Sequence, residues 1–97
     1  STRDIAEAFI SSHNVSVFSK SGCPYCARAK LLLTSYETSF TAMELDLRHD
    51  GADIQDYLEE KTGQRTVPNI FLQQIHVGGC DALNRLDADG KLRDMLA

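Results

Sequence analysis

The sequence predicts an α/β fold that combines a parallel strand pair with an antiparallel one. Three observations carry this. Apolar positions switch repeatedly between helical and strand spacing, giving the order α-β-α-β-α-β-β-α-α. A helix-length segment separates the first two strands, which calls for a parallel, right-handed crossover. Only Gln73-Gln74 separates the last two strands, which makes them an antiparallel hairpin. With 97 residues, the chain suits one compact domain, 1–97, with a modest core.

Each element has a local reason. Ser1 or Thr2 can cap a first helix, with Ile5, Ala6, Phe9 and Ile10 as its apolar stripe and Asn14 at its end. Val15-Ser16-Val17-Phe18-Ser19 reads as a short, mostly buried strand. A helix from Pro24 towards Ser35 follows, with Ala27, Leu31 and Leu32 facing inward and Arg28 and Lys30 facing solvent. Met43, Leu45 and Leu47 alternate with Glu44 and Asp46, the pattern of a second strand with one buried face. Asp50 and Asp53 bracket the start of a third helix. Ile54, Tyr57 and Leu58 are its buried stripe, and Gly63 stands where a C-terminal glycine belongs. Ile70-Phe71-Leu72 and Ile75-His76-Val77 are the hairpin strands, although Gln73-Gln74 lacks the Gly or Asn that a tight turn favours. Gly78-Gly79 breaks the strand, and Asp81 begins a helix carrying Leu83 and Leu86. Gly90 interrupts it before a last helix with Leu92, Met95 and Leu96.

The chemistry concentrates in Ser21-Gly22-Cys23-Pro24-Tyr25-Cys26. Proline is favoured at the first helical position, where the amide it lacks would have no partner. Cys23 is therefore expected at the N-cap, beside unpaired amides and roughly half a positive charge. A thiolate there is stabilised, so Cys23 is expected to be nucleophilic at neutral pH. Cys26 lies one turn on and faces the same side, an attacking and a resolving sulfur for dithiol–disulfide exchange. The pair could also be a structural disulfide or half a zinc site. Zinc needs two further ligands, and only Cys80 and His76 have a plausible spacing, so no metal is expected. His13, His49 and His76 form no Cys–His catalytic arrangement.

Composition narrows the function. A net charge of −4 with no Lys/Arg cluster argues against nucleic-acid binding. No apolar run approaches membrane-spanning length. The start, Ser1-Thr2-Arg3-Asp4-Ile5, has no apolar signal region, so secretion is not expected. It has no initiator Met either, which leaves a removed upstream segment open. Three cysteines with one close pair do not make a secreted disulfide scaffold. A reducing compartment is expected, the cytoplasm first, with an organellar form whose presequence has been removed left open.

A Cys-Pro-Tyr-Cys site on this topology resembles a dithiol glutaredoxin of the thioredoxin-like superfamily, and the resemblance covers nearly the whole chain. It rests on Lys20, Cys23-Pro24-Tyr25-Cys26, Thr66-Val67-Pro68 and Gly78-Gly79-Cys80-Asp81, in that order. Ile54-Gln55-Asp56-Tyr57-Leu58 and Thr62-Gly63-Gln64-Arg65 are similar to family segments as well. A thioredoxin proper is less similar, with Trp before the first cysteine and Gly-Pro inside the pair. The resemblance implies a four-stranded mixed sheet with helices on both faces. It implies a monomeric glutathione-dependent oxidoreductase with no tightly bound cofactor, acting on glutathione mixed disulfides and disulfide-containing proteins. Cys23 attacks, and Cys26 or a second glutathione resolves. Glutaredoxin couples sit at about −200 to −230 mV, close to the glutathione pool, so the flow is reversible.

The resemblance also assigns the thiol-binding residues, each of which has a plainer reading. Lys20, by default a solvated lysine, would lower the Cys23 pKa or hold a glutathione carboxylate. Tyr25, otherwise packing, would wall the glutathione. Pro68 is trans by base rate, since only about 5% of X–Pro bonds are cis; the resemblance makes it cis. Val67 then offers its backbone to the cysteinyl part of glutathione. Thr66 would be a contact and Arg65 solvated. Gln55, by default a surface residue, would meet the glycyl carboxylate. Gly79 and Cys80, at the turn into the next helix, would offer amides to the γ-glutamyl carboxylate. Asp81 would be an N-cap, a partner for the α-amino group, or both. The Cys80 thiol is either a small buried hydrophobe or a redox-sensitive group. Many relatives carry a second Asp where this chain has Ala82, which leaves a related low-molecular-weight thiol open. Some family members instead carry a 2Fe–2S cluster between two subunits, usually with Gly-Phe-Ser after the first cysteine, a role against which Pro24 argues. A non-catalytic binding module would not need both cysteines.

Overall fold

In a computed structural model describing residues 1–97, four strands form one mixed sheet in the order β2-β1-β3-β4. The elements in chain order are α1 (Thr2–Ser12), β1 (Val15–Ser19), α2 (Pro24–Ser35), β2 (Thr41–Glu44), a 3-10 turn (Leu45–Leu47), α3 (Gly51–Thr62), β3 (Asn69–Leu72), β4 (Ile75–Gly78), α4 (Cys80–Ala88) and α5 (Leu92–Leu96). β1 runs parallel to β2 and antiparallel to β3, and β3 pairs antiparallel with β4.

β1 is buried along its whole length, so its two faces feed two cores. Val15 and Val17 join Ala29 and Leu33 of α2, Ile70 and Leu72 of β3, Leu83 of α4 and Leu92 of α5. Phe18 and Phe71 point the other way, into Ala6 and Ile10 of α1 and Ile54 and Leu58 of α3. The strand period of two thus splits one sheet between two helical layers.

Several elements depart from the sequence reading. α1 ends at Ser12, two residues before Asn14, and its buried side is Ala6 and Ile10, with Ile5 and Phe9 at the margin. In α2 the buried stripe is Cys26, Ala29 and Leu33. Ala27 and Leu31 are exposed, Leu31 at 70%. Pro24 sets the helix start, and from there positions 26, 29 and 33 face the sheet, with small Ala29 allowing close approach. Lys30 does not point freely to solvent; it is half-buried and its Nζ lies 2.8 Å from Glu44 Oε2 on β2. The second strand stops at Glu44. Leu45–Leu47 turns instead, burying Leu45 and leaving Leu47 73% exposed. The turn from Leu72 to Ile75 is tight despite its sequence: Gln73 and Gln74 both have positive φ, 51° and 65°. Gln73 N–H donates to the Asn14 carbonyl at 2.7 Å and Gln74 Nε2 to the His13 carbonyl at 2.9 Å, which holds them there. α4 begins at Cys80 with Gly79 as its N-cap, so Asp81 lies inside the first turn and does not cap it.

Candidate active site

β1 delivers the chain to Lys20, and α2 starts at Pro24 with Cys23 as its N-cap. The intervening turn needs a left-handed residue, supplied by Gly22 at φ +76°. Ser21 is tied across to the 3-10 turn: its N–H donates to Asp46 Oδ1 at 2.9 Å and its hydroxyl to Asp46 Oδ2. These bonds hold the Asp46 carboxyl below the usual carboxylate range.

All three cysteines are free thiols. Cys23 Sγ accepts the Cys26 N–H at 3.4 Å. Partial burial opposes its charged form, but the Cys26 thiol, the amides of Cys26 and Tyr25, and the Lys30 ammonium outweigh it, and the Cys23 pKa is lowered. Cys26 is 1% exposed. Burial pushes its thiol up, and its hydrogen bond to Cys23 acts in the same direction. Two cysteines one turn apart therefore differ in kind, one partly exposed with its pKa lowered, one buried with its pKa raised.

Two clefts are lined by the segment Cys23-Pro24-Tyr25-Cys26. One, of ≈ 470 Å³, is walled by Tyr25, by the loop Thr66-Val67-Pro68, and by Gly79, Cys80 and Asp81 at the start of α4. The Val67–Pro68 bond is cis. Neither the N–H nor the C=O of Val67 has a hydrogen-bond partner within the chain, which leaves a short unpaired edge facing this cleft. The other cleft, of ≈ 300 Å³, contains Cys23 itself with Lys20, Pro24, Ala27 and Lys30.

Seven of the residues expected from sequence thus share one cleft: Tyr25, Thr66, Val67, Pro68, Gly79, Cys80 and Asp81. Lys20 lies in the other cleft with Cys23. Gln55 is not on the surface: it is 9% exposed and its Nε2 donates to the Arg65 carbonyl at 3.0 Å, supporting the loop from behind. The Arg65 guanidinium pairs with Asp56. Cys80 is buried, with Asn84 Nδ2 3.6 Å from its sulfur. His76, offered above as a zinc ligand, spends Nε2 on Asn69 Oδ1 at 2.8 Å.

Three residues escaped the sequence reading of the site. Lys30 supplies a cation beside Cys23, and its spacing of seven, two helical turns, could have placed it on the same face. Gln64 lines the larger cleft, and Asp46 anchors the loop before Cys23. Asp46 lies 25 residues from Ser21 and carries no local signal of that contact.

A cysteine of lowered pKa at a helix N-terminus, backed by a buried partner and joined by Tyr25 to the cleft of a cis-proline loop, belongs to the thiol–disulfide exchange proteins of the thioredoxin-like fold. Comparison with known proteins narrows the class. The glutaredoxin family model matches residues 15–77. Glutaredoxin-C2 of Arabidopsis thaliana is 52% identical over 91 residues, covering 94% of this chain and 82% of that protein. Glutaredoxin-2 of Schizosaccharomyces pombe is 50% identical over 97 residues, covering 96% and 88%. A crystal structure of a buckwheat glutaredoxin–glutathione complex matches with a TM-score of 0.96 at 42% identity, over 98% of this chain and 86% of that one. The chain belongs to the glutaredoxin family, whose members are glutathione-dependent oxidoreductases.

Proposed function

We propose that this chain reduces glutathione mixed disulfides and protein disulfides, with Cys23 as nucleophile and Cys26 as resolving thiol. The Cys23 thiolate attacks the glutathionyl sulfur of a mixed disulfide. The substrate sulfur leaves as a thiolate and takes up a proton, and Cys23 is left glutathionylated. A second glutathione thiolate attacks that bond, returning the Cys23 thiolate and releasing oxidised glutathione. On a protein disulfide, Cys23 forms the mixed disulfide and Cys26 attacks Cys23 Sγ. This frees the second substrate thiol and closes a Cys23–Cys26 disulfide, which two glutathiones reduce.

The observation that carries this reading is the opposed acidity of the two thiols. Cys26 is pushed up by burial, and also by its hydrogen bond to Cys23 and the Cys23 charge. Once Cys23 Sγ is in a disulfide it has no charge, and the second and third of these influences fall away. Burial still opposes the resolving thiolate, but its cost is then smaller at the step that needs it.

Glutathione fits the larger cleft by matching groups. Its cysteinyl amide would pair with the free N–H and C=O of Val67 as an added strand. Its γ-glutamyl carboxylate would take the amides opening α4, with Asp81 on its α-amino group and Thr66 and Tyr25 alongside. Lys20, in the neighbouring cleft, forms no ion pair within the chain and would reach a glutathione carboxylate from there, while Gln55 Nε2 has already given one of its two protons to the Arg65 carbonyl. The buckwheat relative solved with glutathione supports this choice of thiol.

The test is turnover of a small glutathione mixed disulfide, coupled to glutathione reductase and NADPH. Wild type and Cys26→Ser are expected to be active and Cys23→Ser to fall to background. A folded, reduced wild type with no glutathione-dependent turnover would overturn the proposal.

A further inference from the structure

The larger cleft depends on a loop, 63–68, that lies outside every helix and strand. Beyond the Gly63 N–H, which donates to the Glu59 carbonyl, its backbone is held by side chains, and Gln64 makes more of those bonds than any neighbour. Gln64 N–H donates to Thr62 Oγ1 at 3.1 Å, and its carbonyl accepts Asn69 Nδ2 at 3.3 Å. With its backbone fixed at both ends, the side chain turns inward. Nε2 donates to the Thr66 carbonyl and to the Pro68 carbonyl, each at 3.0 Å. A carboxamide nitrogen has two protons, and both are used.

The two carbonyls flank Val67, and peptide geometry does the rest. The Thr66–Val67 bond is trans, so the Thr66 C=O and the Val67 N–H lie in one rigid plane and point in opposite directions. Holding the Thr66 oxygen on Gln64 aims the Val67 N–H away from Gln64. That N–H has no partner inside the protein. Gln64 also packs against the other half of the cleft. A Cβ placed on Gly78 would lie 3.6 Å from Gln64 Oε1, and one on Gly79 3.9 Å from Nε2. The carboxamide thus spans the gap between the Val67 loop and the entry to α4, and the bare glycines leave room for it.

We propose that Gln64 is a positioning residue for the thiol substrate. It touches neither sulfur, and by pinning the carbonyls on either side of Val67 it keeps that peptide group turned out for an incoming thiol peptide. This rests on the glutathione-binding reading above.

The test compares wild type with Gln64→Ala and Gln64→Glu. The glutamate has the same size but cannot donate at neutral pH, and it sets a charge against two carbonyl oxygens. Both variants are expected to raise KM for a glutathionylated peptide about tenfold, equivalent to about 1.4 kcal/mol, with kcat within twofold. The pH dependence of Cys23 alkylation by iodoacetamide is expected to be unchanged. A residue with only a structural role would lower the melting temperature and leave KM alone. KM within twofold of wild type in both variants, or a loss confined to kcat, would overturn the proposal. Should neither variant fold, amide hydrogen exchange on the wild type decides. A Val67 amide that exchanges freely and becomes protected on adding glutathione supports it; one protected without ligand overturns it. A wild type with no turnover but a freely exchanging Val67 amide refutes the function and leaves the loop geometry standing.

Discussion

Gly51 opens α3 against the backbone of Leu45, and alanine does not fit there. A Cβ at this position would lie 1.8 Å from the Leu45 carbonyl oxygen and 2.7 Å from its carbon, where contacts under 3.0 Å are essentially never found. Its φ is not in the left-handed region, so the glycine is required by space and not by backbone conformation. Two effects compete on substitution. Alanine in a helix gains roughly 0.5–1 kcal/mol over glycine, less in a first turn. Overpacking costs about 1–3 kcal/mol, and the upper part of that range applies because the obstacle is backbone. A net loss of roughly 1–2 kcal/mol is expected, a sizeable share of a small domain's total. The consequence reaches the active site. Leu45 starts the turn that carries Asp46, and Asp46 holds the loop before Cys23 through Ser21. Displacing Leu45 far enough to clear a methyl group draws Asp46 off Ser21. Gly51→Ala is therefore expected to lower the urea midpoint and to cut kcat/KM several-fold. Gly90→Ala is the control: φ is +71° with nothing within 4 Å of the added Cβ. It is expected to cost roughly 1 kcal/mol of left-handed strain with activity intact. A Gly51→Ala protein as stable and as active as Gly90→Ala would refute the reasoning.

Lys30→Met keeps the stem and removes the cation that favours the Cys23 thiolate. Two helical turns put their Cα atoms on the order of 10 Å apart, with both side chains in one cleft, so a two- to fivefold slower alkylation of Cys23 at neutral pH is expected, shrinking with added salt. Glu44→Gln frees Lys30 from its ion pair and is expected to speed alkylation; the same sign for both variants would refute the pairing. His76 concerns stability: burial, with Lys61 nearby, holds its pKa below the ordinary 6.5. The unfolded chain then binds its proton first, so this contribution is intact above about pH 6.5 and is lost as pH falls through the folded pKa. Urea midpoints should drop between pH 7 and pH 5.5, and His76→Gln should flatten that drop; an unchanged slope would remove His76 as the cause.

Much of the fold was legible because its signals are local. Pro24 after Cys23 marks the start of α2, Gly63 marks the end of α3 at φ +82°, and Val15-Ser16-Val17-Phe18-Ser19 reads as the mostly buried strand that β1 is. The misreadings share a cause. Leu45 and Leu47 continue a strand alternation, yet the chain turns at Leu45 because Gly51 lets α3 close on its carbonyl. Ala27 and Leu31 look like a helix face, but the face that meets the sheet is set by Ala29, whose small side chain admits β1 and β3. Both depend on what lies opposite, which periodicity along one segment does not contain.

The site divides along the same line. Cys23, Cys26 and the Thr66-Val67-Pro68 loop are recognisable in sequence because reactive atoms and turn residues announce themselves by type. Gln64 and Asp46 do not, since each acts on the backbone of another segment. A carbonyl bound from one side turns the N–H of the same trans peptide to the other. Gln64 can therefore set the donor that Val67 shows without touching Val67. Asp46 does the corresponding work on the Ser21 amide, two residues before Cys23. The acidity of Cys23 depends on amides aimed at its sulfur, and Ser21 fixes how the chain enters that turn. Exchanging either side chain for one of like polarity preserves the composition of the site and alters the direction in which its peptide groups point.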